Sequence, residues 1–286
     1  MSKSLKKLID INGLREFKSK LNAQNVFESW PDGAEAHNAM WGGRDITEAF
    51  NNGTVSANIA NGTFKDIFPG DYITKNVAVA ATANAAAATY AIKFIVADLD
   101  WYLNRGDQNG GMTSHHVIII PETAPFSSCM NSQNDTTGGY TGSYMNKTVL
   151  PLFANGLTAA FGVGHILPFR SLDVVAVDNS LQSGGMPGSM GASIWGSHWQ
   201  SCTCHLMNES MVYGTKVIAS SGPDEHMTGA QLSAFRHNQS LVWNRQNYWL
   251  SDVAALHSFA RVEYSSAATA SYASASLGVR PFALLR

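Results

Sequence analysis

Charge is what this chain has least of. Lys, Arg, Asp and Glu make up 14% of its 286 residues, against roughly 25% in ordinary globular domains. The formal net charge is −2, which excludes a whole-molecule field able to gather nucleic acid or an anionic membrane. Polar surface must come instead from Asn, Ser, Thr, Gln and Gly, a composition associated with extracellular and virion proteins. Cysteine is nearly absent too: Cys129, Cys202 and Cys204 are an odd number and cannot close a disulfide framework. No apolar run approaches the ~18 residues of a membrane span, so membrane insertion is not expected. Lys3, Lys6 and Lys7 are followed by Ile9, Ile11 and Leu14, but Asp10, Asn12 and Arg15 interrupt any leader-like stretch. The expectation is synthesis in the cytoplasm without secretory export. The sequon Asn61-Gly62-Thr63 then carries no glycosylation message.

Recognisable chemistry is also missing. There is no nucleophile elbow, phosphate-binding loop or zinc-protease helix. Gly184-Gly185-Met186-Pro187-Gly188 lacks the Lys-Ser/Thr ending of a P-loop and reads as a flexible loop. His115-His116 precedes the apolar run Val117 to Ile120. Neighbouring strand residues point to opposite faces, so the pair reads as structural rather than chelating. Cys202-Thr203-Cys204-His205 is the best metal-like cluster, since two thiols on one strand face could hold a soft ion. No second pair stands at a finger or ribbon spacing, which favours two packed thiols. Asp98 and Asp100 sit two apart with Trp101 and Tyr102 beside them, suggesting helix entry and core. No catalytic residue, cofactor or metal ligand is assigned, and a non-enzymatic role is expected.

What is present is a mixture of short helices and strands without βαβ regularity, which predicts an α+β fold. Leu5, Leu8, Ile9, Leu14, Phe17 and Leu21 fall at helical spacing, and their Lys and Arg neighbours read as a solvated face rather than a nucleic-acid arm. Helices are predicted at Asp45 to Phe50 and Thr54 to Ala60, with Asp45 and Thr54 as N-caps and Gly53 and Gly62 as stops. Phe68-Pro69-Gly70-Asp71 signals a turn, and Tyr72 to Val79 a strand. Ala80 to Ala88 fits either a helix or a loose connector. Strands follow at Tyr90 to Ala97 and Val117 to Ile120, and a short helix at Asp98 to Asn104. The longest helix runs from Ser143 to Phe161, bent or restarted at Pro151. Val174 to Val177 and Ala192 to Cys204 are strand candidates, and Leu206 to Tyr213 a helix closed by Gly214. The first 60 or so residues have too little apolar content for a rich core of their own. They read as a mostly helical oligomerisation or docking segment (1–63) ahead of a domain at 64–286.

The order Phe68-Pro69-Gly70-Asp71-Tyr72, Met130-Asn131, the helix around Tyr144 to Phe161, Tyr248-Trp249-Leu250-Ser251 and Leu277-Gly278-Val279-Arg280-Pro281 resembles C-type-lectin-like domains of bacterial and phage proteins. That fold is shared with formylglycine-generating enzymes. More narrowly, the pattern resembles the variable proteins of diversity-generating retroelements, which include phage tail receptor-binding proteins. The resemblance covers roughly residues 64 to 286. It implies a C-terminal segment rewritten at template adenines, and Ala254, Ala255, Leu256, His257, Ser258 and Ser265 to Ala270 belong to the set reachable from an Asn codon. Glu263 does not. Two departures matter. The lectin calcium run Trp-Asn-Asp is here Trp243-Asn244-Arg245, so calcium-dependent sugar binding is not implied. No cysteine follows Cys204, so formylglycine-type catalysis is not implied either.

The resemblance thus implies a displayed surface at about 245–276 on a fixed frame. Trp243, Tyr248, Trp249, Leu250, Val279, Phe282 and Leu284 are the expected core anchors. The expected contact residues are Arg245, Asn247, Ala255, Leu256, His257, Arg261, Tyr264, Ser266, Thr269 and Tyr272, because Tyr and Arg dominate binding hot spots while small residues set shape. The implied partners are a protein or glycan ligand on a bacterial cell surface and other virion proteins, in a homo-oligomer, by resemblance a trimer. The implied location is the virion, at a phage tail or surface. The alternative is a virion structural or decoration protein without diversification, its loops being ordinary surface.

Overall fold

A computed structural model describes residues 31–82, 85–174, 197–218 and 231–286. The amphipathic stretch at 4–21, the Gly-rich loop at 184–188, residues 175–177 of the strand candidate 174–177 and residues 192–196 of the candidate 192–204 lie outside those residues.

The chain opens with three short helices, α1 (Ala34–Asn38), α2 (Thr47–Asn51) and α3 (Thr54–Ala60). α3 has its expected bounds, but its N-cap is Gly53, left-handed at φ 84°, not Thr54. The N-cap of α2 is Ile46, while the Asp45 side chain accepts from Thr47 N–H at 2.9 Å. Next come β1 (Tyr72–Val79), β2 (Ala88–Leu99), β3 (Gly106–Asp107), β4 (Gly110–Gly111), β5 (Val117–Pro121) and β6 (Phe126–Ser128). The connector reading holds at the described residues between β1 and β2, where Thr82 bridges Ala85. The helix expected at Asp98 to Asn104 is instead the end of β2 followed by a turn. Positive φ at Asp100 (58°) and Asn104 (63°) is incompatible with a right-handed helix.

After α4 (Gly139–Gly142), a π-helical turn (Met145–Val149) leads into α5 (Leu150–Phe161), with Pro151 in its first turn. Pro151 has no N–H to give to the preceding turn, and the switch from π to α hydrogen bonding falls beside it. Then follow β7 (Ile166–Leu167), β8 (Phe169–Val174), β9 (Ser197–Cys202), β10 (His205–Leu206), α6 (Glu209–Tyr213), closed by left-handed Gly214, and α7 (Ser233–His237). The chain ends in β11 (Tyr248–Ala255), β12 (Ser258–Val262), β13 (Ala268–Tyr272), β14 (Leu277–Val279) and β15 (Pro281–Leu285).

The fold is α+β and mostly strand. A curled antiparallel sheet runs β1-β2-β5-β15-β10, with β7 also on β15; a second runs β13-β12-β11-β14-β6. The central strands of the first sheet are buried on both faces, which is why Val117 to Ile120 and Phe282 to Leu285 are unbroken apolar runs. Val117, Ile119, Ala283 and Leu285 face one core with Phe50, Ile59, Phe153 and Phe161. Ile118, Ile120, Phe282 and Leu284 face another with Met211, Phe235, Tyr248 and Leu250. Residues of α2 and α3 therefore lend their apolar side chains to the same core as the later strands. Asp71 ties the two regions polarly: its buried carboxylate accepts from Phe68 N–H (3.0 Å) and from Arg44 N–H (2.9 Å) and Nη2 (3.0 Å). α5 approaches β1 so closely that a Cβ on Gly156 would meet Ala78 O at 2.3 Å.

Arg280 lies between the two sheets, completely buried. Its Nε donates to Pro121 O (2.8 Å) and Nη1 to Leu241 O (2.7 Å). The guanidinium also stands over the Tyr248 and Phe235 rings, 5.1 and 5.5 Å from their centroids. Burial lowers its pKa, and neighbouring Tyr248 opposes that shift. An apolar replacement leaves two interior carbonyls unpaired, each costing ~1–3 kcal/mol. Arg280→Leu is expected to lower unfolding free energy by about 2–4 kcal/mol in urea titrations. An unchanged midpoint would mean those carbonyls find other donors.

Candidate ligand-binding surface

Two stretches distant in sequence meet at the foundation of the surface. β11 and β14 run parallel, with Tyr248 opposite Gly278, and Gly278 N–H donates to Asn247 O at 2.9 Å. A Cβ on Gly278 would meet that oxygen at 2.8 Å and the Ala124 Cβ at 2.7 Å, so glycine is needed for the approach. Trp249 Nε1 donates to Ser128 O (2.9 Å) and the Tyr248 hydroxyl to Val242 O (3.3 Å). Tyr248, Trp249, Leu250, Val279, Phe282 and Leu284 are all buried, as expected of anchors. Trp243 is not: it is 53% exposed. Its surroundings, Asn244-Arg245-Gln246-Asn247, are a polar bend with Arg245 at φ 58°, so the backbone turns the indole away from the core.

The segment 245–276 is not uniformly open. β11 is buried through Ala254, so Ala254 belongs to the interior rather than to a displayed set. β12 buries Phe259 and Val262 on opposite faces and Ala260 between them. The more open parts are the two turns that flank β12 and the outer strand β13, which is half-buried except at exposed Tyr272.

At the first turn Ala255 pairs with Ser258, leaving Leu256 and His257 as the tip. Leu256 and Ala255 are half-buried and His257 is exposed. The tip is braced from the loop before α4. Thr136 Oγ1 donates to Leu256 O (2.8 Å) and lies 3.1 Å from Ala255 O, and Thr136 N–H donates to Leu256 O at 3.1 Å. His257 Nδ1 contacts Asn134 O at 2.5 Å, so that nitrogen carries the proton. Tyr272, 63% exposed, lies at this end, opposite Ser258.

At the second turn Tyr264 is 62% exposed and its N–H donates to Asn247 Oδ1 at 2.8 Å. Ser266, at φ 74°, gives its carbonyl to the Tyr213 hydroxyl at 3.0 Å. Burial pushes the Tyr213 pKa up, so the hydroxyl remains a donor. Arg261 is half-buried, 3.4 Å from Glu263, and opposite Thr269. Exposed Arg245 and half-buried Asn247 precede β11 at this end. A polar cleft of about 240 Å³ lies beside them, lined by Ser127, Gln246, Asn247 and Ser276 among others.

The ten expected residues thus fall into two groups. Ala255, Leu256, His257 and Tyr272 form one; Arg245, Asn247, Arg261, Tyr264, Ser266 and Thr269 form the other. β12 separates them by four residue steps, ~13 Å. Sequence reasoning missed Trp243 as a surface aromatic, and it missed the bracing residues Asn134 and Thr136. The polar run after Trp243 was a usable signal; Asn134 and Thr136 act through main-chain contacts that no local pattern announces.

The other clusters are structural in their geometry. His115 Nδ1 lies 2.6 Å from Asp100 Oδ2, and His116 N–H donates to Asp100 Oδ1 (2.9 Å). His116 Nδ1 donates to Ser114 O while Nε2 accepts from Tyr102 N–H, which fixes a neutral tautomer. Burial lowers its pKa in the same sense. The Cys204 thiol is buried, which raises its pKa and keeps it protonated. Cys202 Sγ lies 3.7 Å from Phe169 O.

No protein-family model, curated protein or solved structure matches this chain.

Because the large groups of the surface touch little of the core, Tyr264→Ala and Tyr272→Ala are each expected to shift unfolding free energy by under about 0.5 kcal/mol. Trp249→Ala is expected to cost about 3–5 kcal/mol. Thermal and urea unfolding of the three variants side by side checks this; a loss above 2 kcal/mol at either tyrosine would make it a core residue.

Proposed function

We propose that the chain is a ligand- or receptor-binding protein, phage-associated and displaying a diversified surface on a C-type-lectin-like scaffold. The observation that carries this reading is a division of labour within one sheet. Tyr248, Trp249 and Leu250 are buried in β11, while two strands away the turns and β13 present tyrosines among small residues. Tyrosine supplies contact area and a hydrogen-bonding hydroxyl at low entropic cost, and small neighbours shape the surface around it. The reading gains support from the pairing of Tyr248 with Gly278, which makes the Tyr-Trp-Leu-Ser and Gly-Val-Arg-Pro stretches parts of a single device. In this reading the partner is a protein or glycan on a bacterial cell surface, and the protein resides on the virion.

Two measurements test it. Sequencing the native locus is expected to reveal a near-copy of the DNA for residues 245–286, differing only at adenines and beside a reverse transcriptase gene. Purified protein, labelled and incubated with a panel of bacterial isolates, is expected to bind a subset. The Tyr264→Ala/Tyr272→Ala double variant is expected to bind that subset at least 100-fold more weakly, each hot-spot tyrosine contributing ~2 kcal/mol. Protein found in purified virions, with no near-copy in the locus and no cell binding, would instead favour a structural or decoration role.

A further inference from the structure

β13 is the outermost strand of its sheet, and the direction of its main-chain groups follows from its register. Ala273 N–H donates to His257 O (2.8 Å) and Glu263 N–H to Ala267 O (2.9 Å), at the two ends of the β12–β13 ladder. Bonded and non-bonded pairs alternate along an antiparallel ladder. Thr269, opposite Arg261, and Ser271, opposite Phe259, therefore turn their N–H and C=O toward β12. Ala268, Ala270 and Tyr272 turn theirs away from it. The Tyr272 carbonyl accepts from Ala275 N–H at 2.9 Å. Among the described residues, no hydrogen bond engages the N–H or C=O of Ala268 or Ala270, or the N–H of Tyr272.

Natural edge strands are usually guarded by a charge, a proline or a bulge. This one has none: its side chains are Ala, Thr, Ala, Ser and Tyr, and its register is unbroken. The nearest charges, Arg261 and Glu263, sit on or beside β12 and pair with each other.

We propose that β13 pairs with β13 of a second copy, antiparallel about a two-fold axis at Ala270, merging two five-stranded sheets. The edge is complementary to itself in this register. Ala270 N–H and C=O meet the same groups of the other Ala270, and each Tyr272 N–H meets the opposite Ala268 C=O. The side chains also match. Tyr272 lies across from the small Ala268, Thr269 lies across from Ser271, and no like charges face each other. Such an isologous contact closes at two copies. It recognises main chain, so it tolerates changes of side chain along β13. Self-pairing neither requires nor excludes ligand recognition by the flanking turns.

The test is the molar mass of the full chain by sedimentation equilibrium from 1 to 100 µM, for wild type, Ala270→Pro and Ala270→Ser. Proline at 270 removes only an outward N–H and leaves the ladder to β12 intact; serine keeps that N–H. The expected result is a mass that halves in Ala270→Pro, with at least a 100-fold weaker association, and is unchanged in Ala270→Ser. Circular dichroism and urea unfolding check that the proline variant is folded. Should it fail to fold, Ala268→Pro takes its place, and Ala270→Cys, oxidised by dissolved oxygen with a copper catalyst, is expected to form a disulfide through residue 270, identified by peptide mapping. A mass that is the same in wild type and in the folded proline variants overturns the proposal. So does an odd number of copies dissociated by the substitution. Loss of cell binding without a change in mass would also overturn it, and would assign the edge to an extended segment of the ligand.

Discussion

The arrangement of the two sheets depends on one buried cation. Arg280 joins β14 to β15, and from that point its guanidinium reaches the carbonyls of Pro121 and Leu241 and the rings of Tyr248 and Phe235. Those partners belong to the end of β5, the 3-10 turn Gln239–Leu241, β11 and α7. A guanidinium suits the place because it is planar, delocalised and weakly hydrated, and several donors leave it in fixed directions. An ammonium would satisfy fewer acceptors and lose more hydration. The electrostatic cost of burial is met by carbonyl dipoles, by Tyr248 and the aromatic faces, with a smaller contribution from the Glu122 carboxylate.

Around that centre the molecule grades from a packed interior to an exposed margin. The central strands of the first sheet are packed on both faces, and α2, α3 and α5 contribute to the core on one of them. The second sheet starts inside, at β14 and β11, and becomes progressively more exposed through β12 to β13. Exposure follows from position in the sheet. Each strand outward loses one layer of neighbours, so its side chains contribute less to folding and can differ in kind. Hydrophobic stabilisation scales with the apolar area removed from water, and little of it comes from the turns or from β13.

Much of this was legible in the sequence where one physical signal dominated. Tyr72–Val79 alternates, Val117 to Ile120 is continuous and apolar, and Pro151 and Gly214 act where their backbone chemistry says they must; each appears with its expected character. The helix expected at Asp98 to Asn104 failed because Asp100 is recruited by His115 and His116, a long-range contact that takes its backbone out of the helical region. Trp243 failed for the opposite reason: size and hydrophobicity suggested burial, whereas the backbone at Arg245 directs it outward. The position of Ala254 was illegible, since alanine is at home inside and outside alike. The separation of the surface residues into two groups could be seen only once the β12 register was known.

The brace at the first turn has a consequence for how that tip can evolve. Thr136 and Asn134 hold it chiefly through main-chain oxygens: Leu256 O and Ala255 O receive Thr136, Ala273 N–H binds His257 O, and Asn134 Oδ1 takes Ser274 N–H. Every residue type has a carbonyl, so the loop's path is written in atoms that mutation does not alter. Shape and chemistry are thereby uncoupled at position 256, whereas at 257 the side chain itself joins the brace through His257 Nδ1 and Asn134 O; one outline can carry many different faces at the first of the two.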